Sequence, residues 1–161
     1  MKKIKAVPIW SPTTKACDMV FVKTSFTLKN SLSELDALAE KVEEFCEALG
    51  ASMKTIFQAK LALEEIFVNI VSYGYDDQEE HLIGITLSLQ NGVLTLIIED
   101  DATPFNPLDA ETPDLKCTIE DSKIGGLGLH LTKSVMNEMK YSRCENKNIL
   151  TLKKNLDATA C

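Results

Sequence analysis

The sequence lacks several patterns that would assign it at once to a membrane or secreted class. No apolar run approaches the ~20 residues that a helix needs to span a bilayer. The basic N-terminus, MKKIKAVPIWSPTTK, has no continuous apolar core of the kind found in signal peptides. We therefore predict a cytoplasmic protein that makes no membrane contact.

Metal-binding and disulfide patterns are missing too. The five cysteines are an odd number and lie far apart, no CxxC pair occurs, and His81 and His130 are the only histidines. This spacing favours reduced thiols and gives no sign of a zinc site. An excess of positive charge is also absent: the formal net charge of −7 argues against direct nucleic-acid binding. A small anion stays compatible, because a helix N-terminus or glycine-rich loop supplies local positive potential.

What is present is the composition of one globular domain. Hydrophobic residues make up 45% and charged residues 25% of the 161 positions. We predict an N-terminal arm over 1–18, a folded domain over 19–156, and a short tail over 157–161.

Periodicity predicts the order β-α-α-β-β-loop-α-β-β. Strand 19–29 precedes a helix that begins at a capping box of Ser31 and Glu34 and ends at Gly50. A second helix covers about 53–73, and two alternating strands flank Asn91-Gly92, the preferred pair for a tight hairpin.

A long connection over 101–124 then leads to a helix that is opened by glycines and runs to about 139. Two strands around a turn near 146–148 complete the chain. The fold predicted is a two-layer α+β sandwich, with a mixed, mostly antiparallel sheet and the helices on one face.

The predicted helix LALEEIFVNIVSYGY, residues 61–75, contains polar residues within an apolar sequence. At 100° per residue, a narrow strip of about 60° collects four of them: Gln58, Glu65, Asn69 and Ser72. The strip fits either the solvated stripe of a surface helix or a site in which an amide faces a hard cation beside a carboxylate proton acceptor.

Two further stretches contain residues that could bind a ligand, but each is ambiguous on its own. LIIEDDATPFNP ends a strand in Asp100 and Asp101, which suits either an acidic turn or an acceptor for a ligand amino group. KIGGLGLHL places Gly125, Gly126 and Gly128 at the start of a helix, where backbone N–H groups either approach phosphate or simply form a turn.

Taken in order, the three stretches resemble the boxes of the GHKL or Bergerat-fold ATPases. ALEEIFVNIVSYGY resembles the N box, EDDATPF the first glycine box, and GGLGLHL the second. Among these ATPases the short chain looks most like single-domain anti-sigma factor serine/threonine kinases. The resemblance covers about residues 20–155.

The resemblance implies ATP and Mg²⁺ as cofactors. It gives Glu65 the role of general base, Asn69 that of the Mg²⁺ ligand, and Asp100 that of the acceptor for the adenine amine. Residues 106–124 would form a lid over the nucleotide. The other nucleotide-binding positions implied are Ala102, Phe105, Lys123, Gly125, Gly126, Leu127 and Gly128.

Two positions depart from the family pattern. Ala102 stands where the first glycine box usually has glycine, so its Cβ is expected to crowd the base or to demand a different backbone angle. Ile124 stands where an arginine often precedes the second box. Lys123, one residue earlier, offers a charge without the bidentate fork of arginine.

The resemblance implies a protein kinase that phosphorylates an anti-anti-sigma (STAS-domain) partner and binds a sigma factor, with a homodimer possible. Three alternatives stay open. The first is a nucleotide-dependent binding module without useful phosphotransfer. The second is a detached phosphorelay domain, for which neither histidine is a suitable acceptor. The third is a structural domain without a ligand.

Overall fold

The computed structural model describes residues 21–109 and 126–156. In these residues a five-stranded sheet is combined with three α-helices. The strands are β1 (Phe21–Lys29), β2 (Leu82–Gln90), β3 (Val93–Asp100), β4 (Glu138–Cys144) and β5 (Lys147–Asn155). The helices are α1 (Leu35–Ala48), α2 (Met53–Tyr73) and α3 (Gly126–Val135).

The strands are ordered β1-β2-β3-β5-β4, and each neighbouring pair is antiparallel. The α+β fold class is confirmed. Within the described ranges the sheet is entirely antiparallel, whereas a mixed, mostly antiparallel sheet was predicted. The pairing of β3 with β5 brings together strands that are not consecutive. Its register sets Asp100 opposite Asn148.

Both tight hairpins have left-handed residues at their centres. Asn91 and Gly92 have φ values of 52° and 74°, as the type I′ turn predicted from Asn-Gly requires. The turn between β4 and β5 lies at Glu145 and Asn146, with φ values of 50° and 63°. The predicted turn at 146–148 is therefore wrong by one to two residues, because Asn148 already belongs to β5.

The helix boundaries follow local hydrogen bonds. Ser31 accepts from the N–H of Ser33 and begins a short 3-10 turn, so α1 starts only at Leu35. Helix α2 has the predicted bounds, and Ser52 caps it by accepting from Thr55. The third helix ends at Val135 and not near 139 as predicted.

The early end of α3 has a specific cause. The N–H of Asn137 donates to the carbonyl of Lys153, so the backbone already pairs with β5 there. Pairing with a strand replaces the helical bond that a longer α3 would need.

One face of the sheet packs under the helices. Alternate strand residues on that face join apolar residues of α1 and α2 in a single core. Its fully buried members include Leu38, Val42, Leu63, Phe67, Ile83, Leu87, Leu96 and Leu152. Across the described ranges, no helix is both long and apolar enough to cross a bilayer.

Candidate functional site

Three members of the polar strip of α2, Gln58, Glu65 and Asn69, are half-buried, whereas Ser72 is exposed. Glu65 and Asn69 lie one turn apart on this helix, and neither is exposed. Within the described residues, the Nδ2 atom of Asn69 and the Oε1 atom of Gln58 are buried without a hydrogen-bond partner. Buried amides in proteins are normally paired, so these two disfavour a simple solvated stripe. An unpaired amide is a group that a ligand can complete.

Helix α3 approaches this strip at Gly128. A Cβ built on Gly128 would lie 2.8 Å from Cδ of Glu65 and closer still to its Oε2. The absence of a side chain at Gly128 therefore allows the Glu65 carboxylate to lie against the first turns of α3. Carboxylates and other anions are stabilised beside the N-terminal N–H groups of a helix.

Asp100 forms the second part of the site, at the end of β3. Its side chain is only 5% exposed. The Oδ1 atom accepts from the N–H of Ala102 at 3.0 Å and from Nδ2 of Asn148 at 2.8 Å. Burial raises the pKa of this carboxyl above its usual value, although both hydrogen bonds act in the opposite direction.

Asn148 was not singled out by the sequence analysis, yet it is the centre of a buried network. Its Nδ2 also donates to the carbonyls of Ala102 at 3.3 Å and Thr103 at 3.1 Å. Its Oδ1 accepts from Tyr141 and Arg143, each at 2.7 Å. Asn148 thus holds both the Asp100 carboxylate and the loop that follows it.

Ala102 fits its position without backbone strain. It is 4% exposed, and it is not among the described residues with positive φ, so no glycine is required there. Room for the Ala102 Cβ comes from Gly74, where a built Cβ would lie only 2.8 Å away. The same glycine accepts from the N–H of Thr103 at 2.9 Å.

The remaining predicted residues are less constrained. Phe105 is 52% exposed and Leu127 is 55% exposed, while Gly126 opens α3. Lys123, Ile124, Gly125 and positions 110–122 of the predicted lid lie outside the described residues. At the start of that lid, Pro107–Asp109 forms a 3-10 turn.

The three stretches therefore meet along α2. Its middle contacts α3 through Glu65 and Gly128, and its end contacts the loop after β3 through Gly74 and Ala102. Within the described ranges, no group of three or more His, Cys, Asp or Glu side chains could hold a metal. Mg²⁺ commonly takes few protein ligands and completes its shell with phosphate and water oxygens. Of the described side chains, Asn69 could provide such a ligand through its amide oxygen Oδ1, whereas its unpaired Nδ2 is a hydrogen-bond donor.

Comparisons with known proteins identify the family of this chain. The sequence model of the family described as "Histidine kinase-like ATPase domain" matches residues 28–154. Serine/threonine-protein kinase BtrW of Bordetella bronchiseptica is 31% identical over 101 residues, which cover 63% of this chain and 71% of that protein. The anti-sigma F factor of Clostridium novyi is 26% identical over 116 residues, 71% of this chain and 81% of that protein.

Solved structures are similar at the level of the fold. The crystal structure of the RsbU and RsbW domains of a Mycobacterium tuberculosis protein superposes with a TM-score of 0.63 at 17% identity. The match covers 86% of this chain but only 33% of that larger one. With the sequence match spanning most of the folded residues, the chain belongs to the histidine kinase-like ATPase domain family.

Proposed function

We propose that this protein is an ATP- and Mg²⁺-dependent serine/threonine kinase that acts as an anti-sigma regulatory factor. Its substrate would be a hydroxyl of a small STAS-domain partner, and its second partner a sigma factor. The names of the relatives support this class of activity, since they include a serine/threonine-protein kinase and anti-sigma F factors. A cytoplasmic location and a homodimer remain predictions.

One observation carries the proposal: the Glu65 carboxylate lies against Gly128 of α3, and Asn69, whose Nδ2 has no partner among the described residues, follows Glu65 by one turn of α2. In this assignment Asn69 would hold Mg²⁺, which offsets charge on the phosphates when it is bound. The backbone at Gly126 and Gly128 would border the phosphates, because the helix start offers N–H groups. Glu65 would orient the substrate hydroxyl and accept its proton.

Asp100 would fix the adenine. The side chains of Asn148, Tyr141 and Arg143 hold its carboxylate and the adjoining loop in place before any ligand arrives. A positioned carboxylate accepts a hydrogen bond from an exocyclic amine at little further cost in ordering. Rate enhancement in phosphoryl transfer comes mainly from such positioning and from charge stabilisation.

The alternative of a binding module without transfer stays open. Its two sequence arguments are Ala102, which has no positive φ, and Ile124, which lies outside the described residues. A phosphorelay role is disfavoured for His81, because both ring nitrogens already face carboxylates of Asp77 and Asp101.

The proposal is tested by titrating the protein with ATP and ADP in a calorimeter, with and without Mg²⁺, and by assaying phosphate transfer to a STAS-domain protein of the same genome. We expect Mg²⁺ to strengthen ATP binding, and Asn69→Ala to remove that gain. Asn155→Ala, at an exposed site of β5, is the matched control.

The same assays separate binding from transfer. Glu65→Gln should bind ATP but lose transfer, whereas Glu64→Gln, its neighbour, should retain both. Binding by the wild type without any transfer would replace the kinase with a partner-sequestering module. Failure to bind nucleotide at millimolar concentration would overturn the assignment of the site.

A further inference from the structure

A cluster of ionisable side chains lies beside the Asp100 loop and outside the site described above. His81, in the turn before β2, lies between two carboxylates. Its Nε2 is 3.0 Å from Oδ1 of Asp77, and its Nδ1 is 3.2 Å from both carboxylate oxygens of Asp101. A neutral imidazole has a single N–H, so one ring nitrogen would turn a lone pair towards a carboxylate. Contacts at both nitrogens therefore fit the doubly protonated ring.

The other groups around His81 reinforce this arrangement. The Tyr75 ring stacks on the imidazole with centroids 4.2 Å apart, and its hydroxyl donates to Asp101 at 3.2 Å. Asn30 fixes the backbone of His81 through two hydrogen bonds. Charged residues at longer range are Lys147, which interacts with Asp101, and Asp100, which interacts with Tyr75. Lys29, Glu79 and Glu80 line the neighbouring groove with Tyr75 and Asp77.

The directions of the pKa shifts agree with the geometry. Hydrogen bonds to Asp77 and then to Asp101 raise the pKa of His81 above its usual 6.5. Burial would raise the pKa of Asp101, but the bonds from His81 and Tyr75 outweigh it and lower that pKa. Burial, with the negative charges nearby, raises the pKa of Tyr75, so its hydroxyl stays a donor.

The cluster adjoins Asp100, the candidate adenine acceptor, through two chain segments. Asp101 follows Asp100 directly, and its charge favours the protonated form of Asp100, so it raises the pKa of that carboxyl. A charged His81 compensates Asp101. Tyr75 follows Gly74, whose carbonyl accepts from the N–H and the hydroxyl of Thr103. The cluster therefore connects the two segments that shape the loop after Asp100.

We propose that His81 is a positioning residue for the nucleotide site: its charged ring holds Asp101 beside Asp100, and nucleotide affinity falls as this ring loses its proton. The proposal rests on the nucleotide binding proposed above. The pKa of His81 in the folded protein is raised, so the ring is fully charged and holds Asp101 below about pH 6.5. This interaction is lost as the pH rises through the folded-state pKa of His81. The side chains of Asp77 and Asp101 are about half-exposed, so the effect is modest, roughly two- to fivefold in Kd.

The test is calorimetric titration with ATP at saturating Mg²⁺ from pH 6 to 9, on the wild type and three variants. Compared with His81→Gln, the wild type should bind about two- to fivefold more tightly at low pH, and the two should converge at high pH. Asp77→Asn should bind ATP as tightly as the wild type at low pH. Because Asp77 raises the pKa of His81, the affinity of this variant should begin to fall at a lower pH than that of the wild type. His130→Gln, which changes the other histidine, should retain the wild-type profile.

A merely structural role for His81 would lower affinity equally at every pH, so parallel profiles for the wild type and His81→Gln would overturn the proposal. Loss of the pH dependence in His130→Gln would overturn it too, because His130 would then be the group that titrates. If no protein binds ATP at any pH, the proposed function fails and this proposal falls with it. Binding with parallel profiles removes only the role of His81.

Discussion

The two ends of the candidate site are built in opposite ways. At the strand end, Asp100 is held by Ala102 and Asn148, and Asn148 is held in turn by Tyr141 and Arg143. At the helix end, Asn69 has a buried nitrogen that lacks a partner among residues 21–109 and 126–156, and the Glu65 carboxylate lies against the backbone of Gly128. The polar side chains at the strand end form hydrogen bonds with one another, whereas the helix end contains a polar group that is left for a ligand to bind.

This difference suggests that the two ends have different roles in binding a ligand. A region that forms its own hydrogen bonds is rigid before a ligand arrives, which suits recognition of a flat base. A region with open polar groups has a cost in stability that a ligand can remove by completing those groups. Changes that remove hydrogen bonds at the strand end should therefore cost stability, while changes at the helix end should affect activity much more than stability.

Among substitutions that leave the proposed base Glu65 in place, the largest effect on activity is expected from Gly128→Ala. The added Cβ would overlap the Glu65 carboxylate and displace it, and misplacement of a reacting group by about 1 Å costs roughly 100-fold in rate. Phosphate transfer should fall by about that factor, while the midpoint of thermal unfolding stays near that of the wild type. Steady-state transfer assays and thermal melts measure the two quantities.

The companion variant is Gly128→Ala in a Glu65→Ala background. If the damage acts through Glu65, the second substitution should add almost nothing to the loss caused by the first. Additive losses would mean that Gly128 acts on its own, through the backbone of α3.

A smaller effect is expected from Asp100→Asn, which should weaken ATP binding roughly 10- to 100-fold, since hydrogen bonds to charged groups are worth ~1.5–3 kcal/mol. The amide oxygen can still accept from Ala102 and Asn148. The raised pKa of Asp100 means that its ionised form costs stability at neutral pH, so loss of the charge should not destabilise the fold. Calorimetry and denaturant melts test both statements.

The control for Asp100→Asn is Glu99→Gln, the preceding residue, whose half-exposed carboxylate pairs with Lys147. Equal losses of ATP affinity in the two variants would remove the special role of Asp100. A large loss of stability in Asp100→Asn would mean that the strand end depends on the charge itself.

The smallest effect on activity is expected from Asn148→Ala, which should destabilise the protein by about 1–3 kcal/mol because buried partners lose their hydrogen bonds. ATP affinity should fall by only a few fold, because Ala102 still donates to Asp100. Thr151→Ala, at a half-buried position of the same strand, serves as the control in denaturant melts. Unchanged stability in Asn148→Ala would contradict the self-supporting strand end.

The sequence predicted the fold well where local chemistry determines structure. Asn91-Gly92 identified one hairpin, and the apolar period of α2 gave its bounds, because both signals lie within a few neighbouring residues. The end of α3 was missed because β4 pairing, not the helical period, decides where that helix stops.

The candidate site was only partly predictable for the same reason. Glu65, Asn69 and Asp100 stood out by their unusual neighbours. Asn148 stood in an Asn-Lys-Asn stretch that resembled a turn, and its partner Asp100 lies 48 positions away in the chain. A signal existed in the alternation of buried positions 148, 150 and 152, but only the β3–β5 register shows what Asn148 faces.

The close approach of Gly74 to Ala102 has a consequence for recombination between relatives. A side chain at one position occupies the space that the other would need, since a Cβ at Gly74 would lie 2.8 Å from that of Ala102. The two residues belong to segments separated by a complete hairpin. A chimera that places a residue other than glycine at position 74 would therefore bring its Cβ against Ala102 and also against the Ile70 carbonyl, so Gly74 should be retained whichever parent supplies position 102.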